Sequence, residues 1–270
     1  MLPAFYINLA ARTDRQRHMQ AELARVGLSA ERVEASTPAD LPSDLLAEVR
    51  SRDRHLLADT ELACSFSHRR VWQMMLDRGI AAALVLEDDA QLSASLPAAL
   101  ADTGFLAPGF DAIQLETHPS NALLGRAQRS GAAGLARQRL MSSSLGTAGY
   151  IISAHWARQL LAHPALDIYA VDKVMFGREA GSLYRGKVWQ AVPALVIPMP
   201  ETAASGVGRS NLAEARAENR RRLKQQRQHS RRGLRYLEER WMILRTFAPT
   251  GELWGARRVR IPAAPDLQQL

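Results

Sequence analysis

The stretch "AAALVLEDDAQL", Ala81 to Leu92, runs six apolar residues straight into three adjacent carboxylates, Glu87, Asp88 and Asp89. Acids placed side by side repel one another and gain little unless something positive sits among them, so a bound cation is the obvious candidate. The uninterrupted apolar run is what a parallel strand covered on both faces looks like. In sheets built from such strands, ligands collect at the carboxyl ends. The acidic triplet stands at such an end.

Working outward, the flanking segments alternate in the same manner. "AFYINL", Ala4 to Leu9, reads as a strand, and "RTDRQRHMQAELARVG" as a helix with Thr13 or Asp14 as cap, Met19, Leu23 and Val26 on one face, and Gly27 as the stop. "AERVEAS", Ala30 to Ser36, is a second strand. "TELACSFSHRRVWQMMLDRG" is a helix with Leu62, Phe66, Trp72 and Leu76 as its buried stripe, and it leads into the quoted strand. Further on, "DAIQLE" (Asp111 to Glu116), "GTAGYIIS" (Gly146 to Ser153) and "KVWQAVPALVIP" supply strands. "AHWARQLLAH" and a segment near Asp172 supply helices, and "SNALLGRAQRSGAAGLARQR" reads as a flexible polar excursion. Strands alternating with helices predict a doubly wound α/β sheet.

Composition narrows the class. With 270 residues and 47% hydrophobic content the chain can bury a proper core. Cys64 is the only cysteine, which excludes an intramolecular disulfide and a four-thiolate zinc site and suits a reducing compartment. The start, "MLPAFYINLAARTDR", has no basic residue ahead of its short apolar run, so no secretory leader is expected. No apolar run approaches the roughly 20 residues that span a bilayer. The net charge of +8 is concentrated between Arg209 and Arg245, where twelve basic residues face four acids. Small residues from Glu201 to Gly208 mark a boundary, giving a catalytic-type domain over 1–205 and a basic helical extension over 206–270.

In an extended chain the first and third residues of Glu-Asp-Asp face the same side, so Glu87 and Asp89 are the expected metal ligands. Oxygen ligands suit Mg²⁺ or Mn²⁺, ions that commonly bridge phosphate oxygens. The ordinary alternative is a solvated acidic turn or a helix cap.

Five stretches, "FYINLAARTDRQRHM", "ELACSFSHRRVW", "ALVLEDDA", "GTAGYIISAHWARQLL" and "VDKVMF", occur in an order and spacing that resemble glycosyltransferase family 25, the lipopolysaccharide β-galactosyltransferase type, over roughly Phe5 to Pro198. Two departures stand out. Thr60 and Ala63 replace glycines around Glu61, and Ala35-Ser36-Thr37 replaces an Ala-Val-Asp-Gly that would carry an acid toward the nucleoside.

The resemblance implies a GT-A-type fold, a doubly wound mixed sheet with helices on both faces, followed here by the basic helical tail. It implies an inverting transfer of a sugar, galactose from UDP-galactose, to a glycan or glycolipid acceptor such as the lipopolysaccharide core oligosaccharide. Glu87 and Asp89 would hold Mn²⁺ or Mg²⁺, with Asp88, Asn8, Arg12, Arg15, Ser67 and His68 toward the donor. Asp172 is the expected base for the acceptor hydroxyl and Glu116 its competitor, although a carboxylate at Asp172 could instead cap a helix. Leu234, Leu237, Trp241 and Leu244 recur at helical spacing among arginines, which fits an anionic membrane surface as partner of residues 209–245. Nucleic acid is the weaker partner for the same charge run. The location expected is cytoplasmic, peripheral on the inner face of a bacterial inner membrane. A degenerate family member that binds nucleotide or glycan without turnover is the other reading.

Overall fold

The computed structural model describes residues 2–51, 57–117, 121–131, 134–199 and 232–268. A nine-stranded mixed sheet runs through them in the order β11-β6-β7-β9-β5-β8-β3-β1-β2. Its parallel half comprises β1 (Ala4–Asn8), β2 (Glu31–Glu34) and β3 (Ala82–Glu87), with β2 and β3 on either side of β1. β8 (Gly149–Ser153) runs antiparallel between β3 and β5 (Ala112–Gln114). β9 (Val188–Val192), β7 (Ala136–Leu140), β6 (Asn121–Arg129) and β11 (Arg257–Arg260) complete the sheet. β4 (Ala90–Leu92) and β10 (Val196–Pro198) pair as a small separate ribbon.

Alternation along the strands sorts the core into two layers. Phe5, Ile7, Ala83 and Val85 join Val71, Trp72 and Met75 of α3 (Asp59–Asp77) and Trp156 and Leu160 of α5 (Ala154–Leu161). Tyr6, Leu84 and Leu86 join Met19 and Leu23 of α1 (Thr13–Val26) and Leu96 and Leu100 of α4 (Leu96–Ala101). Helices therefore cover both faces, which is why β3 reads as a continuous apolar run. Each of its fully buried leucines and valines contributes about 1.5–3 kcal/mol relative to exposure.

Helix boundaries follow local chemistry. Gly27, at φ 69°, stops α1, and the Leu28 amide returns to the Leu23 carbonyl at 2.9 Å. The N-cap of α1 is Arg12, with no side-chain cap, so neither Thr13 nor Asp14 caps it as expected. In α3 the buried face is Leu62, Ser65, His68, Trp72 and Met75, while Phe66 and Leu76 are only half-buried. The stripe is rotated from the expected one because Ser65 and His68, polar residues, take inward positions.

Two expectations need correction. The polar excursion at 120–139 contains a hairpin, β6 and β7. The two arginines of β7 hid the strand because they are buried against backbone carbonyls: Arg137 donates to the Phe105 and Ala107 carbonyls, and Arg139 to those of Val188 and Gly186. The boundary at residue 205 does not separate a tail from the sheet. After α6 (Val171–Phe176) and α7 (Ser182–Arg185), helix α8 (Arg232–Phe247) places Ile243 and Phe247 in the first core layer, and β11 pairs with β6. The basic run 206–231 lies outside the described residues.

Candidate active site

The chain reverses its direction of sheet growth between β1 and β3, and the crevice outside such a switch point is where open α/β sheets bind ligands. Asn8 ends β1 and Asp88 follows β3, and they meet across this crevice, Asn8 Nδ2 donating to Asp88 Oδ2 at 2.8 Å. Glu116, two residues beyond β5, and the 144–148 segment leading into β8 open at the same end of the sheet.

The acidic triplet does not keep strand alternation. Only Glu87 belongs to β3, while Asp88 and Asp89 occupy the turn before β4. Both aspartates consequently reach Arg15 of α1, whose Nη1 lies 3.0 Å from Asp88 Oδ1 and 2.9 Å from Asp89 Oδ2. Glu87 turns the other way, accepting from the Thr147 hydroxyl.

Several residues expected toward the donor are engaged within the protein. Asp88 has both oxygens engaged by Asn8 and Arg15, and it clamps the strands together. Asn8 is fully buried, its Oδ1 accepting from Arg32 Nε at 2.9 Å. Arg12 forks onto Asp14 at 2.9 and 2.8 Å. Arg15, expected at the donor phosphates, is the partner of the acids.

One guanidinium does not offset the crowding. Burial, and then the Glu87 charge, lifts the Asp89 carboxyl to about 7 despite Arg15. Burial also raises Asp88 above its ordinary range. Glu116, 5% exposed, is pushed well above the carboxylate range by burial and by Glu87, with smaller pushes from Asp89 and Asp172. Five carboxylates thus feel one another at this end of the sheet. Crowded oxygen donors are the chemistry a hard divalent cation prefers, although Asp89 and Glu87 here turn to different partners, Arg15 and Thr147.

Ser67 and His68, expected near the donor, lie inside the protein. Ser67 Oγ accepts the Ser36 amide at 2.8 Å and donates to the Ala63 carbonyl, tying α3 to the loop after β2. The Tyr150 hydroxyl accepts from Trp72 Nε1 at 3.0 Å, so its proton points to His68 Nδ1 at 2.9 Å. Burial keeps that phenol protonated. His68 Nε2 lies 3.4 Å from Glu87 Oε1 without a hydrogen bond of its own, so the ring backs Glu87 from inside the core. Among the described residues, Cys64, His68 and Glu87 have ligating atoms within 4.8 Å of one another.

Glu116 is anchored by the Ala148 amide at 2.7 Å, and Ala148 in turn accepts the Glu87 amide at 3.0 Å. Gly146 makes room for it: at φ 118° a Cβ there would sit 2.3 Å from Glu116 Oε1. Asp172 is the second residue of α6 and Ala170 is the N-cap, so Asp172 is not the capping residue; its Oδ1 accepts the Lys173 amide at 2.8 Å. Sequence reading gave no site role to Thr147, Tyr150 and Gly146, whose only signal was the "GTAGY" opening of β8, and it placed Trp72 only in a buried stripe.

The family model described as Glycosyltransferase family 25 (LPS biosynthesis protein) matches residues 1–175. The chain belongs to glycosyltransferase family 25. Within this family, the lacto-N-neotetraose biosynthesis glycosyltransferase LgtE of Neisseria meningitidis serogroup B is 31% identical over 181 residues, 63% of this chain and 65% of that one. LgtB of Neisseria meningitidis serogroup A is 32% identical over 200 residues, 70% and 71% of the two chains. The probable inactive glycosyltransferase 25 family member 3 of Bos taurus is 28% identical over 204 residues, 68% of this chain and 33% of that one. The match to LgtE thus spans just under two thirds of that relative.

Proposed function

We propose that this family 25 chain is an inverting glycosyltransferase that moves a sugar, galactose from UDP-galactose, onto a glycan acceptor such as the lipopolysaccharide core oligosaccharide. The observation that carries the reading is the set of crowded acids at the β1/β3 switch point, where burial raises the Asp88, Asp89 and Glu116 carboxyls above their ordinary range. Asp89, with Glu87, would hold Mn²⁺ or Mg²⁺ there. Such an ion neutralises charge on a departing nucleoside diphosphate, a contribution of several kcal/mol in comparable sites.

The chain's own residues divide the remaining work. Asn8, Asp88 and Arg15 fix the crevice, and His68 and Thr147 orient Glu87. Asp172 accepts the proton of the acceptor hydroxyl as that oxygen attacks the anomeric carbon opposite the leaving nucleotide. Glu116 is a poorer base, because it is buried, bonded to the Ala148 amide and inclined to keep its proton. A cytoplasmic site of action fits the single cysteine.

The second reading, a binder without turnover, draws on Arg15 already pairing two of the three acids and on the glycine losses at Thr60 and Ala63. Incubating the protein with a panel of sugar nucleotides, Mn²⁺ and a lactose- or glucose-terminated soluble acceptor separates the two. Nucleotide release that stops on chelation supports the transferase. Metal-dependent nucleotide binding with no release supports the binder.

A further inference from the structure

Helix α8 has two apolar faces. The inner one carries Ile243 and Phe247, which are buried, and Phe247 lies beside Tyr184 of α7. Glu239 is also on this side, paired with Arg178 at 2.7 Å. The outer face carries Leu237, Trp241 and Leu244 at 61%, 55% and 55% exposure. On a helical wheel these three fall within about 60° of each other, with Arg240 on one flank and Arg245 on the other, from the 100° step per residue. Arg245 stacks over the Trp241 ring at 5.0 Å. Trp254, in the connection from α8 to β11, is 82% exposed, and Arg257, Arg258 and Arg260 of β11 are exposed as well.

We propose that the outer face of α8 seats on an anionic lipid bilayer. Leu237, Trp241 and Leu244 enter the boundary between headgroups and acyl chains, while Arg240 and Arg245 reach outward to lipid phosphates. An apolar stripe bordered by cations is the pattern of a helix lying in a membrane interface, where long basic side chains keep their heads among headgroups and tryptophan prefers the same depth. Two other occupants fit worse. A second copy stacked on this stripe would bring the arginines of both copies together, and three side chains fall short of the roughly 1,200 Å² of a stable interface. Nucleic acid would leave the central leucines without a partner. Glu238, the acid on this side of the helix, stands next to the Arg245 flank; Glu239 is turned inward onto Arg178.

The seat also bears on the transfer reading, on which this last point rests. Arg178 follows α6, the helix of Asp172, so the Glu239 pair links the membrane-facing helix to the element that carries the proposed base.

The test uses the full chain with phosphatidylcholine vesicles, with and without phosphatidylglycerol, in a sedimentation assay. Wild type is expected to partition onto the anionic vesicles at low salt. The double variant Trp241→Ser/Leu244→Ser should lose at least tenfold in partitioning, and Arg240→Gln/Arg245→Gln a comparable amount. Both should keep the wild-type melting temperature and the wild-type nucleotide binding, which separates failure of this proposal from failure of the transfer reading. Unchanged partitioning of Trp241→Ser/Leu244→Ser would overturn the proposal, since the arginine run would then act alone. So would absence of vesicle binding by wild type, or a concentration-dependent dimer in sedimentation velocity that the same variant abolishes.

Discussion

At the β1/β3 crevice the unusual residues are acids held inside, while at the α8 corner they are tryptophan and leucine held outside. Each region reverses the ordinary placement of its residue types, and the fold sustains the two reversals differently. The crevice contains its buried charges with Arg15, Asn8 and the Ala148 amide, and still leaves Asp89 short of positive charge. The corner simply turns a second apolar stripe to solvent after the first has been packed. Reversals of this kind mark places where stability has been traded for binding.

The sharpest way to break the contrast is Asp89→Asn. If the acids exist to hold a cation, turnover should fall by about a thousandfold or more, on the order of the several kcal/mol a metal contributes. The same variant should melt no lower than wild type in metal-free buffer at pH 8, because it relieves repulsion. Activity and melting measured on one preparation check both halves.

Proton competition gives the next effect. Asp89 has a folded-state value near 7, above its ordinary range, so the metal-free fold retains a proton that the unfolded chain releases. Stability of the metal-free protein should therefore decline as pH rises from about 4 to 7. Cation affinity should fall about tenfold per pH unit below 7, for one proton displaced. Calorimetric Mn²⁺ titrations at pH 6 and pH 8 test this, and a flat profile would remove Asp89 from the ligand set.

Smaller still is Tyr150→Phe. It strips the shared partner from Trp72 Nε1 and His68 Nδ1, leaving a buried donor unsatisfied, at about 1–3 kcal/mol in a denaturant titration. At the corner, Glu239→Gln loses only a partly exposed ion pair, about 0–1 kcal/mol by the same measurement.

How far the sequence could be read follows the same division. The β3 run, the acidic triplet at its end and the order of the five motifs are local patterns, and they point to the carboxyl end of β3, where the crevice lies. What the triplet touches was not local. Strand alternation predicted that Glu87 and Asp89 would face together, but the turn at Asp88 sends both aspartates to Arg15. Ser67 and His68 were expected toward the donor because they match the family's Ser-His, yet they are tied to Ser36 and Tyr150 inside the core. In β7, "ARQRL" looked soluble because nothing in it reveals that carbonyls at Phe105, Ala107, Gly186 and Val188 await its arginines. In α8, both Ile243/Phe247 and Leu237/Trp241/Leu244 have helical spacing, and only packing decides which pair of turns is covered.

The strand order carries one more consequence. β9, at residues 188–192, is wedged between β7 and β5, and the far edge is closed by β11 at residues 257–260. The segment that identifies the family, 1–175, stops short of both. Expressed by itself it would lack the central plank that joins two halves of the sheet, with open strand edges inviting aggregation.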